Sequence, residues 1–256
     1  MRTLVCVKRV PATGAKILLT PDEQDIETRF LGFTISPHEE CAVEEAIRLV
    51  EEHGGRSTVL TLGPPEAAEQ LRDALAMGVD EAILLETDGS DWDPVATARA
   101  LVAAIQAEEA ANGPFDLILF GNESADSGGY QVGIRVAHAL DRPCVAGIKG
   151  LTVQEGQVEA RREIPGGWEV YQVPLPGVVT VKEGLNLPRY PSLRGRLRAK
   201  KAPIQRLQPE LQPGGPVKVR LKVPEEQGVE TQILGHGPEA APQVVAILKQ
   251  LGLVQP

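Results

Sequence analysis

Cysteine is scarce in this chain. Cys6, Cys41 and Cys144 are scattered through 256 residues and no two form a CxxC pair. That argues against a disulfide framework or a cysteine-rich metal site. The apolar neighbours of each suggest a small buried hydrophobe. Long apolar runs are missing as well, since no stretch approaches the roughly 18–20 residues that span a bilayer. The amino terminus, Met1-Arg2-Thr3-Leu4-Val5-Cys6-Val7, enters strand-forming sequence at once and leaves no room for a signal peptide's apolar region and cleavage site. A cytoplasmic location is the expectation.

Catalytic fingerprints are absent too. There is no GxxxxGK[ST] phosphate loop, no GxGxxG, no GxSxG and no HExxH, so the usual ATPase, dehydrogenase, hydrolase and metalloprotease readings lose their support. His38, His53, His138 and His236 lack metal-ligand spacing. His53, just before Gly54-Gly55, reads as a charge partner for a helix carboxyl end, and His138 as a helix-surface residue. Glu123 and Asp126 stand close enough to form an acid–base pair, yet a polar, solvated loop explains them as well. No catalytic residue and no metal site are expected.

Acidic residues are missing from one segment. The formal charge is −9, from 26 basic and 35 acidic residues, yet positions 189–206 hold seven Lys/Arg and no Asp or Glu. Taking those seven from 26 leaves 19 basic residues against 35 acidic ones. An acidic body of this kind does not suit nucleic acid. The basic segment reads either as a solvated linker or as a docking element for an acidic partner.

Through the first two-thirds, strand and helix signals alternate. Residues 4–10, 57–62, 82–86, 115–121 and 143–148 read as strands. Ser36-Pro37-His38-Glu39 opens a helix with a capping box and a first-turn proline, and Val43, Ala46, Ile47 and Val50 recur at helical spacing. Further helices are expected from Gly63-Pro64-Pro65 through Met77, after Pro94, and over 129–140. Such βαβ repetition predicts an α/β fold, a Rossmann-like parallel sheet with helices on both faces. Residues 157–163 and 168–173 add a small antiparallel hairpin, and 178–181 a last short strand. The remainder predicts an extended C-terminal arm, with one helix over 242–251. The expected divisions are 1–186, 187–206 and 207–256.

In open parallel sheets, ligands bind beyond the carboxyl ends of the strands. The most informative segment there is Gly121-Asn122-Glu123-Ser124-Ala125-Asp126-Ser127-Gly128-Gly129-Tyr130-Gln131-Val132. Its small residues let backbone amides approach an anion, and the helix that follows adds its positive end. The alternative is a plain glycine-containing strand–helix turn.

Several stretches resemble the electron transfer flavoprotein beta subunit. They are residues 4–10 (LVCVKRV), 36–46 (SPHEECAVEEA), 74–80 (ALAMGVD), 121–133, and 187–193 (LPRYPSL... read in order as Leu187-Pro188-Arg189-Tyr190-Pro191-Ser192-Leu193) running into Ala199-Lys200-Lys201. The resemblance implies a heterodimer with an alpha subunit that holds most of the FAD contacts, and a structural AMP in this subunit. By position it implies an AMP pocket lined by Cys6, Ser36, Pro37, His38, Glu39, Leu62 and the whole of 121–132, with the backbone of 127–131 on the phosphate. It also implies a partner-recognition loop at Tyr190, Pro191, Ser192 and Leu193, with Leu193 as apolar anchor. Electrons would pass from acyl-CoA and other flavin dehydrogenases, in fatty acid beta-oxidation, to a membrane quinone reductase. Thr13 departs from the family, which has a tyrosine there approaching the flavin. A related branch of the family binds a second FAD in place of AMP, and its loop shares the pattern of Asp126 and Gln131-Val132-Gly133. Outside the family, a nucleotide-hydrolysing enzyme and a stand-alone, universal-stress-like nucleotide binder are the alternatives, and the second leaves 187–201 unexplained.

Overall fold

A computed structural model describes residues 1–12, 14, 16–224 and 231–254. The expectations that fall on Thr13 lie outside the described residues. The chain divides into two compact units, Met1–Arg220 and Leu221–Pro256.

In the first unit, β1 (Arg2–Val7) is followed by the short strands β2 (Val10–Pro11) and β3 (Phe33–Thr34), which pair with each other. Then come α1 (Pro37–His53), β4 (Arg56–Gly63), α2 (Ala68–Met77), β5 (Glu81–Glu86), α3 (Pro94–Asn112), β6 (Leu117–Gly121) and α4 (Val132–Ala139). The unit continues through β7 (Cys144–Gln154), β8 (Gln157–Ile164), β9 (Gly167–Pro174), β10 (Gly177–Val181), α5 (Leu193–Lys201) and β11 (Gln205–Leu207). Nine strands form one sheet in the order β11-β5-β4-β1-β6-β10-β7-β8-β9. Pairings from β11 to β7 are parallel, and β8 and β9 extend the sheet antiparallel. The α/β expectation and its antiparallel extension are both present.

The parallel strands are apolar on both faces because helices cover both. Val5, Val7, Val59 and Leu84 pack with α1 and α2 on one side, while Leu4, Cys6, Leu60 and Ile83 pack with α3 and its neighbours on the other. Each fully buried Leu or Ile contributes about 1.5–3 kcal/mol. Ser36 caps α1 and Glu39 closes the capping box. The Asp93 carboxylate caps α3, accepting from the amides of Val95 and Ala96 at 2.7 and 3.1 Å.

Some boundaries differ from expectation, each for a local reason. The first strand stops at Val7 rather than Val10 because the Lys8 amide turns away to the Glu39 carboxylate. Helix α4 begins at Val132, not at 129, because Gly128, Gly129 and Tyr130 all adopt positive φ. Cys6 and Cys41 are buried, but Cys144 is only half-buried.

The basic segment contains a helix rather than only a loop. Ser192 caps α5 by accepting from the Gly195 amide at 3.0 Å, and α5 packs on α2. Beyond it, β11 lines the sheet edge beside β5, so 187–207 folds within the first unit. Residues 208–220 are strapped to the same unit by Arg99 to the Gln212 carbonyl, Lys218 to Asp91, and Gln24 to the Val219 carbonyl.

In the second unit, a 3₁₀ turn (Gly237–Ala240) leads into α6 (Ala241–Gln250), matching the expected terminal helix. No described helix is long and apolar enough to cross a membrane.

Candidate functional site

The sheet reverses its winding between β1 and β6. The chain steps from β1 out to β4 and β5, then crosses back through α3 to β6 on the other side of β1. At such a switch point the loops beyond neighbouring strands part and leave a crevice at the carboxyl edge. Cys6 pairs with Leu60 and Phe120 in register. Leu62, next to last in β4, and Gly121, the last residue of β6, therefore lie just past the end of β1.

The amino end of α1 closes one wall of this edge. Glu39 is buried, and its Oε1 accepts from the Lys8 amide while Oε2 accepts from the Ser36 amide, both at 3.0 Å. Burial pushes this carboxyl up to about 8, and the two amide hydrogen bonds hold it back from rising further. The Cys6 thiol is likewise raised, first by burial and then by the neighbouring Glu39. Gly121 is the one residue type that fits beside this helix end, because a Cβ there would sit 2.6 Å from Glu39 Cγ and 3.4 Å from His38 Cβ.

His38 joins three elements. Its Nδ1 accepts from the Glu183 amide at 2.7 Å. Its Nε2 therefore carries the proton and donates to Glu123 Oε1 at 3.0 Å. Ser36 Oγ donates to the Glu123 carbonyl at 3.3 Å. Asn122 is fixed by its amide on the Val181 carbonyl and by Thr180 Oγ1, which donates to Asn122 Oδ1 at 2.9 Å. The base of the 121–132 loop is thus held from α1, β10 and the segment after β10. Pro37 is exposed beside it.

The rest of the loop folds on itself. Ser124 and Gly128 form a small bridge, and Ala125 and Ser127 are exposed at its tip. Lys8 Nζ meets Asp126 Oδ2 at 2.5 Å and Ser127 Oγ at 3.3 Å. Burial pushes Asp126 up, but the Lys8 charge and the hydrogen bonds outweigh it and the carboxyl ends below its ordinary range. The amides of Ser127, Gly128, Gly129 and Tyr130 bond to Asp126, Ser124, Ser127 and Gly128 within the loop. Gln131 puts no side-chain cap on α4; its Oε1 binds Arg135 instead. The first-turn amides of α4, starting at Val132, are the ones that can meet an anion. Tyr130 points outward and is 60% exposed.

The structure thus gathers Cys6, Ser36 to Glu39, Leu62 and 121–132 along one edge. Tyr190, Pro191, Ser192 and Leu193 belong elsewhere, tethered further along α1. Lys8 was not among the expected site residues, although it braces both Glu39 and Asp126. Its place directly after β1 was the signal that could have found it. Glu123 and Asp126 do not pair with each other: Glu123 accepts from His38 and Asp126 from Lys8.

Sheet order and the loops gathered at the carboxyl edge define a doubly wound α/β protein with its candidate site at the switch point. A family model described as "Electron transfer flavoprotein domain" matches residues 27–211. The electron transfer flavoprotein beta subunit of Bacillus subtilis is 41% identical over 211 residues, covering 81% of this chain and 79% of that protein. The human beta subunit is 32% identical over 259 positions and 99% of both chains. A subunit of the caffeyl-CoA reductase–Etf complex, CarD of Acetobacterium woodii, is 34% identical over 80% of this chain and 77% of its own. The chain belongs to the electron transfer flavoprotein family, on its beta-subunit side.

Proposed function

We propose that this chain is the beta subunit of a cytoplasmic, heterodimeric electron transfer flavoprotein that carries electrons from flavin dehydrogenases, acyl-CoA dehydrogenases among them, to a membrane quinone reductase. In this reading it binds AMP as a structural ligand and has no catalytic residues of its own. The observation that carries it is the hold of the capped start of α1 on the base of the 121–132 loop at the switch point, through Ser36 and His38 on Glu123, within a chain of this family.

The residues present suit an adenine nucleotide. A Cβ at Gly121 would collide with α1, so the strand end and helix start can approach closely. Gly128 and Gly129, both at positive φ, turn the loop without side-chain bulk. The first-turn amides of α4 have no side-chain cap to displace. Ser36 to Glu39 and 121–132 would hold the nucleotide, while Lys8 on Asp126 keeps the loop in place.

FAD, held mainly by the alpha subunit, supplies the redox chemistry when bound. This chain contributes a platform, a partner-recognition segment at 190–193 and a C-terminal arm whose end, past the residues strapped to the first unit, wraps the alpha subunit. Val217, Val219, Ile233, Leu251 and Leu253 are all exposed apolar residues in that arm, which suits burial against another chain.

A second reading places FAD in the AMP position, favoured by Asp126 with Gln131-Val132-Gly133. The test is to co-express the chain with its alpha partner, denature the purified complex and identify the released nucleotides. One FAD and one AMP per heterodimer support the first reading. Two FAD and no AMP support the second, and failure to form a complex refutes both. Leu193→Ala should weaken reduction by a dehydrogenase; unchanged reduction would remove the anchor role.

A further inference from the structure

The segment proposed to recognise partners is exposed, yet it is gripped from both ends. Tyr190 is 96% exposed and Leu193 75%, so neither is held by its own packing. Arg189 between α1 and this segment makes five hydrogen bonds. Its amide and Nε donate to Glu44 Oε2 at 3.1 and 2.9 Å, and Nη2 donates to Glu44 Oε1 at 3.0 Å. Nη1 and Nη2 donate to Glu51 Oε1 and Oε2 at 2.6 and 2.9 Å. Glu44 and Glu51 stand seven residues apart on α1, which places both on one helix face.

The neighbouring residues reinforce this grip. Asn186 Nδ2 donates to the Cys41 carbonyl at 3.0 Å and to Glu45 Oε2 at 2.8 Å. On the far side Ser192 caps α5, and Arg198 donates to the Leu75 carbonyl at 3.0 Å. Glu44 is nearly buried, with 6% of its side chain exposed, whereas Glu51 is 57% exposed. Exposed ion pairs in general add little stability. A planar guanidinium that bridges two carboxylates adds geometric definition.

We propose that Arg189 is a positioning residue for partner docking: clamped by Glu44 and Glu51, it keeps 190–193 in the shape a dehydrogenase meets. The inference rests on the reading of 190–193 as the recognition segment. A segment already ordered spares the association the entropy of ordering it.

The test uses the heterodimer with an acyl-CoA dehydrogenase as electron donor. Arg189→Met, Arg189→Lys, Glu51→Gln and Leu193→Ala are compared for KM and kcat of reduction. Amide hydrogen exchange is followed over 187–193. Arg189→Met should raise KM on the order of tenfold with kcat unchanged, and Arg189→Lys, unable to bridge both carboxylates, should fall between it and wild type. Exchange at 190–193 should speed up in Arg189→Met and in Glu51→Gln, the latter altering only the more exposed carboxylate. A merely structural role for Arg189 would instead lower flavin content and kcat together, and that result overturns the proposal. Leu193→Ala raising KM while Arg189→Met and Glu51→Gln leave KM and exchange unchanged also overturns it. An unchanged KM in Leu193→Ala overturns the recognition reading itself, and the clamp proposal with it.

Discussion

Replacing Glu39 by glutamine probes the buried corner where β1 meets α1. In the folded chain burial raises this carboxyl to about 8 against an ordinary value of 4.5. Through that window the folded state keeps a proton that the unfolded state has lost. The stabilising contribution is therefore complete below the ordinary value and is lost as the pH climbs through about 8. Between about pH 5.5 and about pH 7.5 the loss from this one group is roughly 2–3 kcal/mol. Glutamine does not titrate, so Glu39→Gln should gain on wild type by that amount over the same interval. Its own cost is a clash of hydrogen-bonding character, because one of the two amides that Glu39 accepts, from Lys8 or Ser36, would face an NH₂ group. Urea unfolding of both proteins at the two pH values gives the difference directly, and other titrating groups cancel in it. Parallel behaviour, with a gap constant to about 0.5 kcal/mol, would refute the reasoning. It would mean that the two amide hydrogen bonds outweigh burial and Glu39 stays ionised throughout.

Gly121→Ala should cost about 1–3 kcal/mol by overpacking against Glu39 and His38, and should loosen nucleotide retention; thermal unfolding and nucleotide content of the complex check both. Lys8→Met should change stability by less than about 1 kcal/mol, since the ion pair with Asp126 is partly exposed. In that variant the Asp126 carboxyl should titrate higher by NMR, so stability that wild type loses as the pH falls through the depressed value is no longer contributed by this pair. Glu109→Ala leaves Arg142 Nη2 and the Phe115 amide, bonded to Glu109 Oε1 at 2.7 and 2.9 Å, without that acceptor, and Arg142 keeps only the Phe115 carbonyl through Nη1. With both charged side chains nearly buried, the loss in urea unfolding should be about 3 kcal/mol.

Local signals made much of the fold legible. The capping box at Ser36 and Glu39 and the Asp93-Pro94 start placed two helices, because caps act over three or four residues. The apolar runs of β1, β4, β5 and β6 were visible because strands buried on both faces need unbroken hydrophobicity. Helix α5 was missed because its composition, rich in Arg and Lys with Gly195 inside it, carries no strong apolar period. Its main burial is Ala199 against the α1/α2 side of the core. Strand β11 has three residues and forms by pairing with the edge of β5, a long-range contact without a local pattern.

The candidate site divides in the same way. Small residues at 127–129 and the strand–helix switch after Gly121 were apparent in the sequence, since glycine reports backbone demands where it stands. The order of residues in the chain also determined the α/β class, through alternating periodicities that only helix and strand can satisfy. The tertiary structure decided what those residues meet. It brought Lys8 onto Asp126 across 118 positions and Arg189 onto Glu44 across 145. It also buried Glu39 deeply enough to shift its proton affinity. Such pairings depend on which strand ends and helix faces become neighbours, and that is settled by packing the whole sheet between its two helical layers.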